Sequence, residues 1–237
     1  MVFADLVKLY EARKEKFGAE AYRHISDLLM EAKELHRIDF LKHPTPRGDH
    51  EQSWRSFKGK NLEKLIAYII RDGVESLGLK LVDGNTLDKT KTENLSKELS
   101  EVKRRVLVDY GEFGAHMPDL DIIIYEPKTY KVIAAISSKV TLRERIAQTG
   151  YWKIKLSKDE VTKNIKVFFI TPDEDRTLTF RTQAKKGRAI VEVDTDGSYV
   201  MSETLVEEDD KVKMFDHFIE DLKTLANRYR EREGRHG

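Results

Sequence analysis

The sequence contains no cysteine. That excludes disulfides, zinc-thiolate clusters and a thiol nucleophile. It holds no apolar run long enough to cross a bilayer. The start, Met1-Val2-Phe3-Ala4-Asp5-Leu6-Val7-Lys8, lacks the basic lead and long apolar stretch of a signal peptide. An intracellular protein is the simplest expectation. There is no glycine-rich phosphate loop and no internal repeat, and the seven histidines are scattered rather than grouped as metal ligands. Asparagine (five) and glutamine (three) are scarce, whereas charged residues reach 36%, against about 25% in ordinary domains. An ion-pair-rich, amide-poor composition of this kind is that of thermophile proteins.

The chain also lacks a global charge. Its 43 basic and 42 acidic side chains leave +1, so no overall field attracts a polyanion. The charge is nevertheless uneven. Arg143, Arg145, Lys153, Lys155, Lys158, Lys163 and Lys166 fall in one segment, whereas Glu203, Glu207, Glu208, Asp209 and Asp210 form an acidic block. Such runs are commonly solvated faces, and they permit a basic surface without showing one.

What is present is a globular pattern, 237 residues long and 39% hydrophobic. Residues 2–37 carry apolar positions at helical spacing, interrupted at Gly18, which predicts two helices. The stretch from His43 to Asp49, with Pro44 and Pro46, reads as a connector. We expect residues 1–45 to form an N-terminal helical subdomain and 46–237 the main domain. Residues 53–71 predict an amphipathic helix that buries Leu62, Leu65, Ile66, Ile69 and Ile70. Glu63 lies on the flank of that stripe, where it is either an edge glutamate paired with a lysine or a carboxylate turned toward a site. Residues 79–82, 106–110, 166–172 and 188–193 predict strands, and 95–103 a short helix. Val212, Phe215, Phe218, Ile219, Leu222, Leu225, Ala226 and Tyr229 mark a long C-terminal helix.

The centre of the pattern is a pair of apolar runs of strand length, Met117-Pro118-Asp119-Leu120-Asp121-Ile122-Ile123-Ile124-Tyr125 and Val132-Ile133-Ala134-Ala135-Ile136-Ser137-Ser138-Lys139, joined by a turn at Pro127-Lys128-Thr129-Tyr130. Both faces of both strands are apolar, so the hairpin should be covered on two sides. Asp119 and Asp121 lie in the first part of the first run, and Ser137 and Lys139 end the second. Strand alternation would put Asp119, Asp121, Ile123 and Tyr125 on one face, and Ser137 and Lys139 together on their own. An acid and a lysine at the rim of a core suggest a metal and phosphate site, or else a plain Asp–Lys ion pair. Beyond Lys139, Thr141 and Glu144 fit a capping box, predicting a helix over 142–156.

The order helix, strand, Pro-Asp strand, x-Lys strand, helix, strand resembles the PD-(D/E)XK nuclease fold. Pro118-Asp119 and Ser137-Ser138-Lys139 stand where its core motif would be, with Ser137 in the place of the usual acid. The chain is similar to the branch of type II restriction endonucleases that includes BsaWI, NgoMIV, PspGI and EcoRII, some of which carry Ser-x-Lys. In that branch an Arg-(Asp/Glu)-Arg element reads a CCGG-type core, and here Arg143-Glu144-Arg145 matches it. An arginine can donate twice to guanine and a glutamate can accept from cytosine, although Glu144 also fits the capping role. The resemblance runs from about residue 53 to 193.

It implies an α/β fold, a restriction-endonuclease-like central mixed β-sheet flanked by helices, with the N-terminal helical element added. It further implies Mg²⁺, double-stranded DNA as substrate, a homodimer on a palindromic site and a prokaryotic cytoplasmic setting. Asp119 would be the main metal ligand, Glu63 the supplementary acid, and Asp121 a second ligand or a partner of Lys139. Lys139 would orient or help deprotonate the attacking water, and Ser137 would hold a water or support the site. Arg55, Lys58 and Lys60 are candidates for phosphate contacts beside Arg143, Glu144 and Arg145. The competing expectations are a structure-specific repair or junction nuclease of the same fold and a DNA-binding protein with a degenerate site.

Overall fold

Asp49 starts the longest helix by accepting the Glu51 amide at 3.0 Å, and that helix forms the back wall of the molecule's main cleft. The structure is a computed structural model that describes residues 1–43, 48–142 and 145–234. In chain order the helices are α1 (Phe3–Phe17), α2 (Ile25–Lys42), α3 (His50–Ser76), α4 (Gly84–Lys89), α5 (Lys97–Arg104), α6 (Arg145–Leu156), α7 (Lys186–Asp194) and α8 (Phe218–Gly234). The strands are β1 (Lys80–Asp83), β2 (Val108–Asp109), β3 (Ala115–His116), β4 (Ile122–Tyr125), β5 (Val132–Ser138), β6 (Lys166–Thr171), β7 (Gly197–Val200) and β8 (Val212–Met214).

One mixed sheet has the order β1-β4-β5-β6-β7-β8, and β2 and β3 form a small ladder of their own ahead of β4. β1, β4 and β5 run antiparallel, while β5 through β8 are parallel neighbours. Every residue of β4 and β5 is buried, as expected for strands apolar on both faces. On one side Ile122, Ile124, Ala134 and Ile136 join the larger core with Leu62, Leu65 and Ile66 of α3 and Phe218 and Leu222 of α8. On the other, Ile123, Tyr125, Ala135 and Val167 join Val102, Val106 and Leu156. A register shift between Ile124 and Tyr125 interrupts the β4–β5 ladder.

Leu6, Ile25, Leu28 and Leu29 of the N-terminal helices belong to the larger core, so α1 and α2 pack directly on α3. The expected domain boundary at residues 45 and 46 lies outside the described residues.

Three sequence expectations differ from the structure. Residues 188–193, read as a strand from their β-branched content, lie within helix α7. Arg188 and Val191 are its buried positions, one helical turn apart, and the nearby strand is β7 instead. Residues 106–110 contribute only the two-residue β2. Val212, placed at the head of the C-terminal helix, lies in β8. The apolar spacing runs through both elements, so periodicity alone could not show the break between them.

Candidate active site

Three elements bring charged side chains to one point. Glu63 projects from α3, Asp121 sits one residue before β4, and Lys139 sits one residue after β5. Lys139 Nζ donates to Glu63 Oε1 at 3.2 Å and to Asp121 Oδ1 and Oδ2 at 3.2 and 3.0 Å. Asp121 Oδ2 also accepts the Ser138 backbone N–H at 2.6 Å. The Asp121 amide donates to the Ile136 carbonyl at 2.8 Å, and its own carbonyl accepts from the Gly84 amide at 2.9 Å. This last bond requires glycine: a Cβ on residue 84 would stand 1.8 Å from the Leu120 carbonyl oxygen. The start of α4 is thus pressed against the peptide that carries Asp121.

The electrostatics follow from burial and proximity. Burial first, and then the neighbouring Asp121 carboxylate, push the Glu63 carboxyl up to about 7, against the pull of Lys139. Burial opposes the charge on Lys139, but Asp121 and Glu63 outweigh it and raise its pKa. Lys139 is therefore an ammonium at neutral pH, and Glu63 holds its negative charge only weakly. Two carboxylates against one ammonium leave surplus negative charge among hard oxygen donors. That donor set is of the kind that suits a hard divalent cation, which Asp121 and Glu63 could hold together. Asn85 Nδ2 reaches Glu63 Oε2 at 3.4 Å, a contact that the sequence did not signal.

The trio lies in a cleft of about 1150 Å³. Arg55, Lys58 and Lys60 line the same cleft from α3. Asp119 also lines it, but its exposed carboxylate accepts from Gln148 Nε2 of α6 at 2.7 Å. Strand alternation cannot unite Asp119 with Asp121, because β4 begins only at Ile122. Ser137 is buried and does not line the cleft, whereas Ser138 does. The residues flanking them explain the difference: Ser137 alternates with Ala135 toward the smaller core, and Ser138 alternates with Ile136 toward the side of α3.

Arg143 and Glu144, and with them the expected capping box, lie outside the described residues. Arg145 begins α6. Gln148, three residues on, was not singled out from the sequence, and its spacing from Arg145 on the helix was the available signal.

Residues 98–221 match the family model described as BsaWI restriction endonuclease type 2, over more than half of the chain. The chain belongs to the BsaWI family of type II restriction endonucleases. The matched segment contains Asp119, Asp121, Ser137 and Lys139, and Glu63 precedes it. Two relatives carry provisional names as type II restriction enzymes. MjaVIP of Methanocaldococcus jannaschii is 34% identical over 218 residues, covering 86% of this chain and 94% of that protein. HpyAORF263P of Helicobacter pylori is 31% identical over 176 residues, covering 74% and 83%. The fold is also similar to that of AgeI in its crystal structure as a specific DNA complex. The TM-score there is 0.55 at 14% identity, covering 94% of this chain and 91% of that one. A BsaWI-family chain with a mixed sheet flanked by helices agrees with the fold expected from the sequence. Among the described residues no helix is long and apolar enough to cross a membrane.

Proposed function

We propose that this BsaWI-family enzyme hydrolyses double-stranded DNA in a Mg²⁺-dependent reaction, at a short palindrome with a CCGG-type core, the interrupted form CCNGG included. The observation that carries the reading is the convergence of Glu63, Asp121 and Lys139 in one cleft. AgeI, whose fold is similar, has been crystallised on DNA, which supports duplex DNA as the substrate here.

Asp121, anchored by its backbone and by the Ser138 amide, is the principal metal ligand, and Glu63 completes the pair. Bound there, Mg²⁺ supplies Lewis-acid charge neutralisation and acidifies a bound water. The Lys139 ammonium orients the attacking water and stabilises charge growing on the phosphate oxygens. Asp119, bonded to Gln148, serves α6 rather than the metal. Ser137 supports the end of β5 from the far side. Arg143, Glu144 and Arg145 read the CC/GG bases in the major groove, and Arg55, Lys58 and Lys60 contact phosphates. A palindrome calls for two-fold symmetry, so the working form is a homodimer.

The test is digestion of a mapped plasmid with the purified protein in Mg²⁺ or in chelator, followed by sequencing of the ends. Mg²⁺-dependent cuts at one fixed site with a CC/GG core are expected. Cuts without a fixed sequence, or at a unique site lacking that core, would overturn the reading.

A further inference from the structure

Ser138 carries a polar group that the fold leaves unmatched. It is 1% exposed, and its Oγ is buried with no hydrogen-bond partner. A buried hydroxyl in that state is costly, so a stable protein rarely keeps one without a water or ligand to satisfy it. Among the described residues, the other buried side-chain atoms without partners belong to His36, His50, Arg105, Trp152 and Ser198. None of those residues lines the active-site cleft, whereas Ser138 does. Its backbone N–H already holds Asp121 Oδ2 at 2.6 Å, and the next residue is Lys139. Alternation along β5 places it with Ile136 and Ala134 on the side of α3, the helix that supplies Glu63. A water there would have Ser138 Oγ and the Asp121 or Glu63 carboxylate as partners, which meets the needs of an ordered water.

We propose that Ser138 is a positioning residue of the cation site: its Oγ fixes a water that in turn orients the Asp121–Glu63 carboxylate pair toward the bound divalent cation. The proposal rests on the assignment of Glu63, Asp121 and Lys139 as the nuclease site, and it gives the outer-shell hydroxyl to Ser138 in place of Ser137. Outer-shell groups of metal sites commonly affect affinity or activity by 10–100-fold, and that range sets the expectation.

The experiment compares Ser138→Ala, Ser138→Cys and Ser137→Ala with the wild-type protein. The readouts are melting of the metal-free protein, Mn²⁺ affinity by titration calorimetry, and single-site cleavage kinetics. Ser138→Ala should melt close to the wild-type temperature when metal-free, since its Oγ bonds no other protein group. It should bind Mn²⁺ about 10-fold more weakly or worse, with kcat lowered and KM for DNA unchanged. Ser138→Cys, which keeps the volume but donates and accepts poorly, should follow the alanine variant. Ser137→Ala should leave Mn²⁺ affinity unchanged. Mn²⁺ affinity and kcat within twofold of wild type in Ser138→Ala would overturn the proposal, as would a lowered melting temperature with unchanged Mn²⁺ binding. Lys139→Ala separates the two levels: if it still cleaves, the site assignment itself fails, and if it is dead while Ser138→Ala is normal, only the role of Ser138 fails.

Discussion

Lys139 and Asp121 meet side on, the ammonium donating to both carboxylate oxygens at 3.2 and 3.0 Å. The contact joins the end of β5 to the start of β4, beside Glu63, whose charge burial and the Asp121 carboxylate disfavour. Removing the ammonium leaves two close carboxylates with nothing to orient the attacking water. Lys139→Ala is therefore expected to lower the cleavage rate by at least about 100-fold. The check is the first-order rate of supercoiled plasmid loss in saturating Mg²⁺.

The raised pKa of Glu63 gives the metal-free protein a pH signature. Its carboxyl is held at about 7 in the folded chain, against an ordinary value of 4.5. Folding thus favours the protonated form. The stability from this group is fully present below about pH 4.5 and is lost as pH rises through about 7. In chelator, the melting temperature should fall between those values, and Glu63→Gln should flatten that part of the profile. Thermal melts at closely spaced pH values make the comparison.

How much of this was legible beforehand differs from residue to residue. The β4–β5 hairpin was plain, because isoleucine runs of strand length leave few other choices. Glu63 and Lys139 were also legible as candidates, from the flank of one helix and the end of one strand. The separation of Asp119 from Asp121, one bonded to Gln148 and the other to Lys139, was not. It depends on β4 starting at Ile122 and on the Gly84 and Ile136 backbone bonds to Asp121, which are contacts between segments distant in sequence. Ser137 against Ser138 likewise turns on which side of β5 faces α3. Arg188 misled the reading for a related reason: a β-branched segment became a helix because the buried guanidinium has tertiary partners on the loops beside it.

Those partners make Arg188 a stability determinant. It is fully buried, and it donates to the Glu207 carbonyl at 2.6 Å, Asp209 at 2.7 Å and Glu192 at 2.8 Å. Arg188→Met should cost about 1–3 kcal/mol, because it removes the bonds to Asp209 and Glu192 and leaves the buried Leu178 carbonyl without its guanidinium donor. Burial raises the pKa of Asp209, but the Lys211 and Val212 amides and Arg188 prevail and hold it at about 2. Its contribution is present above the ordinary value of 3.8 and fades as pH falls toward 2. Urea unfolding at pH 7 and pH 3 should show a smaller difference between the variant and wild type at the lower pH.

The α3 side of the cleft makes a prediction about salt. If Arg55, Lys58 and Lys60 each neutralise a phosphate, replacing one by alanine should weaken binding to all duplexes alike. It should also reduce the slope of log K against log salt by about 0.9. Titrations in Ca²⁺ at several salt concentrations, on DNA with and without the site, test this. An unchanged slope would remove the residue from the interface.

The most direct test of the account compares two aspartates two residues apart. Single-turnover cleavage in saturating Mg²⁺ is measured for Asp121→Ala and Asp119→Ala beside the wild-type enzyme. The account predicts that Asp121→Ala loses cleavage by at least about 1000-fold. Asp119→Ala should retain readily measurable cleavage, since its partner is Gln148. The opposite order, with Asp119→Ala dead and Asp121→Ala active, would contradict the site as described.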